Sequence, residues 1–404
     1  MSRQAPVTGS GWSLTTSRDQ QRDPKPAVVA RKHGVDVDNV EYPSSTSGIG
    51  AKPDTAYGIR GPLTYDGVLD NEGADNVAIV AVADDARIPI PARDRGYDVL
   101  FGGEGTSDVL WHGVALDQRE PGAWGRMNAA VDGGAIIKAL SKIGSGRRAN
   151  PTPNQKLENS QFKSGPGLYA PALKDGRQNR IIDLDDVHGG VVASEHYGDR
   201  PIGIWLGGNH EGELHIVGGR IAQYGNNALY ATATPGEVYV RGTTFRNCGV
   251  SNGRIARGAF ENVTSIYDSS DSAGLANADA SRHATQGLAV EAKKKGQGGS
   301  VAIVGCTVRM GAVARCGGGI DVRSGRVSTV ENTDVHISDR AEWGDEKAPD
   351  IIVDGVLDQL RNVDLSGSAT SGTSIINRGS RIQADGLTID YPGSRGNYQG
   401  PVST

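Results

Sequence analysis

Gly225 to Gly249 read GNNALYATATPGEVYVRGTTFRNCG, and the six residues VRGTTF inside that stretch (Val240 to Phe245) set a frame for the whole chain. The frame is apolar, any, Gly or Asn, any, any, apolar. Toward the N-terminus it recurs as IVGGRI (Ile216 to Ile221), LENSQF (Leu157 to Phe162) and WHGVAL (Trp111 to Leu116). Toward the C-terminus it recurs as IVGCTV (Ile303 to Val308), VENTDV (Val330 to Val335), LRNVDL (Leu360 to Leu365) and ADGLTI (Ala384 to Ile389). Neighbouring copies begin about 24 to 63 residues apart, and the shorter spacings match one coil of a solenoid. Two weaker copies, IDLDDV (Ile182 to Val187) and GAFENVTSI (Gly258 to Ile266), fall inside the longest gaps.

The third position of the frame carries the fold. It holds Gly113, Asn159, Gly218, Gly242, Gly305, Asn332, Asn362 and Gly386. Gly and Asn enter the left-handed backbone region at the lowest cost. A positive-φ bend between two short strands, once per coil, accounts for the restriction; a helix has no use for it. A second apolar stretch follows four of the frames, at Ala228 to Tyr230, Gly318 to Val322, Asp350 to Val353 and Ser374 to Ile376. GLAVEA (Gly287 to Ala292) fits a coil whose frame is not evident. A β-sandwich would need hairpins, and no Asn-Gly or Asp-Gly pair joins two matched alternating runs. The sequence therefore predicts an all-β chain: a right-handed parallel β-helix whose coils stack about 4.8 Å apart.

Composition agrees. The chain has 404 residues with 58 Gly, 18 Pro and only 5% aromatic residues, which suits many short strands and tight turns. A net charge of −5 argues against a nucleic-acid binder. No apolar run reaches the length of a membrane span, and the N-terminus shows no export signal. Cys248, Cys306 and Cys316 have no CxxC spacing and read as buried small hydrophobes.

The run Gly225 to Gly249 resembles the coils of right-handed parallel β-helix proteins of haloarchaea and their viruses, an architecture shared with pectate lyases and viral tailspikes. The resemblance covers about residues 56 to 392 and is one of coil pattern. It implies the fold, and a homotrimer as such rods often form. Function has to be argued from the site.

Such folds host polysaccharide lyases and hydrolases, so carboxylates and histidines matter. Asn332-Thr333-Asp334, Asp185-Asp186 and His188-Gly189 resemble polygalacturonase motifs, but in the wrong order. The Asp pair lies too many coils from Asp334 for the carboxyl separation that inverting hydrolysis needs. The densest polar stretch runs from Asp183 to His215 and holds half of the eight histidines. Stacked coils there could present carboxylates on one face as a Ca²⁺ or sugar site, or as an acid and base; a solvated, loop-rich side is the plainer account. The candidate catalytic residues are Asp185, Asp186, His188, Glu195 and His196. Trp205, His210 and Glu211 are the ligand-binding candidates, with Trp205 a potential sugar platform that core packing would equally explain. No metal-ligand spacing stands out, and no cofactor is expected, Ca²⁺ aside. Lys293 to Lys295, the one basic run, reads as a loop tip.

The expected organisation is an extended arm over residues 1–55, a β-helix over 56–392 with an excursion at 117–155, and a tail at 393–404. Within the excursion, Ala135 to Lys142 has the spacing of a short helix. The function expected is that of a non-enzymatic virion protein: a tail fibre, spike or surface protein. It would dock onto other virion proteins through the arm and face a host-surface glycan or cell-surface layer, with no nucleic-acid or membrane partner. The alternatives are a polysaccharide lyase or glycoside hydrolase, secreted by a non-classical route, or a cytoplasmic scaffold.

Overall fold

The computed structural model describes residues 25–91, 98–119, 126–143, 166–184, 187–188, 202–224, 226–268, 285–292, 299–311, 313, 316–343 and 345–404. The fold is all-β with long parallel sheets. Apart from the short antiparallel pair Glu342–Trp343 and Glu346–Lys347, strands close in sequence do not pair with one another; each pairs in parallel with its counterpart further along the chain. Glu213–Val217 lies on Glu237–Arg241 with Leu214 facing Val238 and Ile216 facing Val240. Arg220–Ala222 lies on Thr244–Arg246, and Leu229–Ala231 lies on Ser251–Ile255. Three ladders thus recur in the same order along the chain. The third of them, from Leu69–Asp70 to Gly396–Gln399, forms a sheet of 12 strands.

Parallel sheets usually carry unbroken apolar runs because helices cover both faces. Here several strands of the first ladder alternate instead, whereas Ser251–Ile255, Gln286–Val290, Ile320–Val322 and Ile351–Val353 of the third are buried throughout. Glu213–Val217 buries Leu214 and Ile216 and turns Glu213, His215 and Val217 outward, and Glu237–Arg241 repeats the pattern. The crossover between paired strands of the first ladder runs through the other ladders, so the outward face of strands such as Glu213–Val217 needs no apolar cover. Register then stacks like on like: Trp111, Ile137, Ile181, Ile216, Val240, Phe260, Ile303, Val330 and Leu360 form one continuous inner column. All belong to a single core that runs from Ile49 to Ile382. Each such side chain contributes roughly 1.5–3 kcal/mol by leaving water.

The bend falls where the frame placed it. Gly113, Gly218, Gly242, Gly305, Asn332, Asn362 and Gly386 all have φ between 48° and 72°; Asn159 lies outside the described residues. Ala139, Asp183 and Asn262 occupy the same column with φ of 51°, 48° and 54°. Backbone hydrogen bonds run through the bend from coil to coil, Gly218 N to Arg241 O at 2.8 Å and Gly305 N to Glu331 O at 2.9 Å among them. The Asx side chains stack along it: Asn362 Nδ2 donates to Asn332 Oδ1 at 3.2 Å. They also explain where Gly is needed, since a Cβ on Gly386 would sit 2.5 Å from Asn362 Oδ1.

Four expectations change. The arm does not extend to residue 55: Pro26–Lys32 forms a helix, α1, and Asn39–Glu41 pairs in parallel with Thr55 to Tyr57. Pro26 opens α1 and Arg31 and Lys32 close it, each at the end of the helix dipole that suits it. Ala30, Val35 and Val37 cover the outward Ala56, Ala78, Val80 and Leu110, and Thr55–Ile59 is consequently buried on both faces. Residues 1–24 lie outside the described residues. Within the expected excursion, Met127–Asn128, Ile136–Lys138 and Lys142–Ile143 join the ladders. The helix expected over Ala135 to Lys142 is a strand and a left-handed bend at Ala139, a position the Gly/Asn frame could not flag. Finally, the supposed tail continues the parallel ladders, with Gly396–Gln399 on Thr373–Asn377 and Val402–Ser403 on Ile382–Asp385.

Candidate functional site

Stacking places outward residues of successive coils side by side, and one such surface gathers ionisable groups. Along the coils of Gln178–Ile182, Glu213–Val217, Glu237–Arg241 and Gly258–Glu261, Gln178 neighbours Glu213 and then Glu237, while Arg180 neighbours His215 and then Tyr239. A third file runs from Val217 through Arg241 to Glu261.

The side chains hold each other in place. Gln178 Nε2 donates to Glu213 Oε2 at 2.7 Å, and the His215 Nε2–H reaches the same oxygen at 2.8 Å. Arg241 donates to His215 Nδ1 at 3.0 Å, which fixes the proton on Nε2. The His215 ring stacks on Tyr239 with centroids 5.1 Å apart, and the Arg241 guanidinium lies 5.1 Å from the Tyr239 ring. The Tyr239 hydroxyl donates to Glu237. That bond, with burial, pushes the phenol up to about 12. Arg241 Nε binds Glu261 Oε2 at 2.6 Å. Glu213, Glu237 and Glu261 are thus each engaged by a donor, on a surface that still leaves about a third of each carboxylate side chain open to solvent. Such an arrangement presents fixed donors and acceptors with restricted rotamers, which favours recognition of a polyhydroxylated ligand.

The sequence candidates scatter. Asp185, Asp186, Glu195 and His196 lie outside the described residues. His188 sits in the short strand Val187–His188 next to Ala222, with its side chain undescribed. Trp205 is half-buried and outward, stacked on Tyr169 with centroids 5.0 Å apart and the planes 24° from parallel. Tyr169 in turn donates to Asn209 Oδ1 at 2.5 Å. One face of the indole is therefore covered by Tyr169, and Tyr230 follows Trp205 in register on the next coil. His210 is fully buried. Ala172 N donates to its Nδ1 at 3.1 Å and its Nε2 donates to Glu237 O at 3.0 Å, so the ring joins neighbouring coils. Burial holds its pKa below the ordinary value. Glu211 is exposed.

Sequence reading named His215 and Glu213 only as part of a polar stretch and missed Gln178, Glu237, Tyr239, Arg241 and Glu261. The signal was there: ELHIV and EVYVR are two copies of one strand, 24 residues apart, with Glu at the same place. Among the described residues, no three His, Cys, Asp or Glu side chains converge as a metal site. The three cysteines are free and buried, and burial pushes the thiols up, Cys306 to about 11 and Cys248 and Cys316 to about 12. No helix among the described residues is long and apolar enough to cross a membrane. In comparison with known proteins, the chain matches no family model, no curated protein and no solved structure.

Proposed function

We propose that the chain is a right-handed parallel β-helix serving as a non-enzymatic attachment or surface protein of a virus particle. Its outer face meets a host-surface glycan or cell-surface layer. The three recurring parallel ladders around one core support the coil closure, and right-handedness follows from the strong chiral preference of parallel crossovers. One observation carries the binding reading: the row formed by Glu213, His215, Glu237, Tyr239, Arg241 and Glu261, whose carboxylates are engaged by donors. A hydroxyl-rich ligand exchanges its hydrogen bonds for those of surface water on such a row, which costs little reorganisation because the groups are already fixed. In this reading the residues before α1 dock onto other virion proteins, and three chains associate as a homotrimer.

The test is a titration of the full chain with host-surface polysaccharide, together with the size distribution of that polysaccharide before and after incubation. Binding that weakens at least tenfold in a His215→Ala, Arg241→Gln double variant, with polymer length unchanged, is the expected result. Undiminished binding by the variant would refute the assigned surface. Shortened polymer would make the chain a lyase or hydrolase instead.

A further inference from the structure

On the ladder that follows the bend, the strands Thr264–Tyr267, Thr307–Met310 and Arg326–Ile337 end beside one another and enclose a cleft of about 420 Å³. That volume lies within the usual range for small-ligand sites. Met310 and Tyr267 beside the cleft are buried in the core, where the Tyr267 hydroxyl donates to Cys248 O at 2.6 Å. The rim of the cleft is polar, with Arg309 and Arg340 exposed, His336 next to Arg309 in register, and Ser338 immediately after the end of the strand Arg326–Ile337.

Among the described residues the charges do not balance. Asp268 is the one carboxylate among them that lines the cleft, and it already has partners. Arg246 Nε donates to it at 2.8 Å and Asn247 Nδ2 at 3.1 Å. Neither Arg309 nor Arg340 forms a side-chain hydrogen bond or ion pair among the described residues, so two guanidinium groups face one cleft in a chain whose net charge is −5. Like charges placed together without a counter-ion raise each other's energy, and an anion bound between them removes that penalty. Guanidinium forks suit planar or tetrahedral oxyanions and form bidentate pairs with them. Ser338 Oγ accepts from Arg340 N at 3.2 Å, which leaves its O–H to donate to a ligand hydroxyl.

We infer that this cleft is a subsite for an acidic saccharide unit, one carrying a carboxylate or a sulfate ester, with Arg309 and Arg340 as its anion clamp. The inference deepens the glycan-binding reading above and rests on it. It places selectivity for charged glycans on a different ladder from the row around Tyr239.

The experiment titrates the full chain with an oligogalacturonate, a sulfated oligosaccharide, a neutral oligosaccharide of equal length, and inorganic sulfate. Arg309→Gln and Arg340→Gln are compared with Arg326→Gln, an exposed arginine paired with Asp358 elsewhere on the surface. At least one acidic oligosaccharide is expected to bind, to weaken about tenfold in each cleft variant, and to be indifferent to Arg326→Gln. The affected arm distinguishes carboxylate from sulfate as the preferred group. Equal affinity for the neutral oligosaccharide overturns the inference, and so does acidic binding unchanged by both cleft variants. If inorganic sulfate binds as tightly as the oligosaccharides, the cleft holds ions only and the saccharide assignment fails. Neutral binding that depends on His215 and Arg241 would sink this subsite while leaving the wider glycan reading standing.

Discussion

The same three kinds of side chain meet in two places, with opposite consequences. On the outer face of the first ladder, Glu237, Tyr239 and Arg241 form a carboxylate–phenol–guanidinium group, with Arg241 about 39% exposed and its partner Glu261 37%. Near the C-terminus, Asp350, Tyr391 and Arg395 form another, with the Arg395 and Asp350 side chains 1% and 0% exposed. In both, the guanidinium lies against the ring, at 5.1 Å in the first and 4.4 Å in the second. Burial alone separates their roles. Water competes for every group in the outer trio, so it adds little to stability and stays available to a ligand. The inner ion pair has no such competitor, although Tyr391 is only partly buried, and it works as a staple across three strands of the third ladder. Arg395 reaches Asp350 at 3.0 Å, Ser374 Oγ at 3.0 Å, Ser371 O at 2.8 Å and Ala348 O at 2.7 Å.

The comparison breaks most readily at Arg395. Arg395→Met leaves the Asp350 carboxylate buried without its counter-charge and three acceptors unserved, a loss of about 3–5 kcal/mol. Urea unfolding should show it, and hydrogen exchange should place the opening in residues 346–404; a loss below about 1 kcal/mol would mean that the staple holds nothing. Tyr391→Phe removes one donor to Asp350 (2.5 Å) and should cost about 1–3 kcal/mol.

A pH titration sharpens the contrast further. Burial pushes the Asp350 carboxyl up to about 6 from an ordinary value near 3.8, against the pull of Arg395. The folded chain therefore holds that proton more tightly than the unfolded chain does. The stabilisation is fully present below about pH 4 and is lost as pH rises through about 6. Exchange protection of the last coils should follow that curve in the native chain and lose it in Asp350→Asn. At the outer trio the expected change is smallest: Arg241→Met should shift stability by no more than about 0.5 kcal/mol. A larger shift there would mean the row is structural rather than a binding surface.

The two trios also differ in how far the sequence reveals them. Glu237, Tyr239 and Arg241 alternate along one strand, so their shared outward face is legible from the period-two pattern, and the copy at Glu213 and His215 marks the neighbouring coil. Asp350 lies two ladder steps from the connection that carries Tyr391 and Arg395, and nothing in their local pattern says that they meet. Arg395 even fell in what reads as a tail, because GSRGNYQG has too few apolar residues to advertise a strand that borrows its register from the coil beneath. The bends were legible wherever Gly or Asn filled them. Ala139 escaped because an alanine there takes the left-handed conformation against its own preference, held by the hydrogen bond from its N to Ile182 O at 3.0 Å. Helix α1 escaped for a different reason: seven residues give too few turns for a periodic signal.

The column of bends has one more consequence. Consecutive bends lie as little as 20 residues apart (Gly242 to Asn262) and as much as 44 (Ala139 to Asp183), yet from Gly113 to Gly305 each donates its backbone N–H to the residue before the next bend. The column is thus the shared origin from which each coil is measured, and differences in length are absorbed elsewhere on the circumference. Segments can therefore be spliced in or trimmed away from that origin without disturbing the neighbouring coils. Deleting one residue between Val240 and Phe245 would instead turn the side chains of the strand that follows inside out. The molecule is in this sense a keyed stack, open to lengthening and to new decoration on its far sides and intolerant of change at the key.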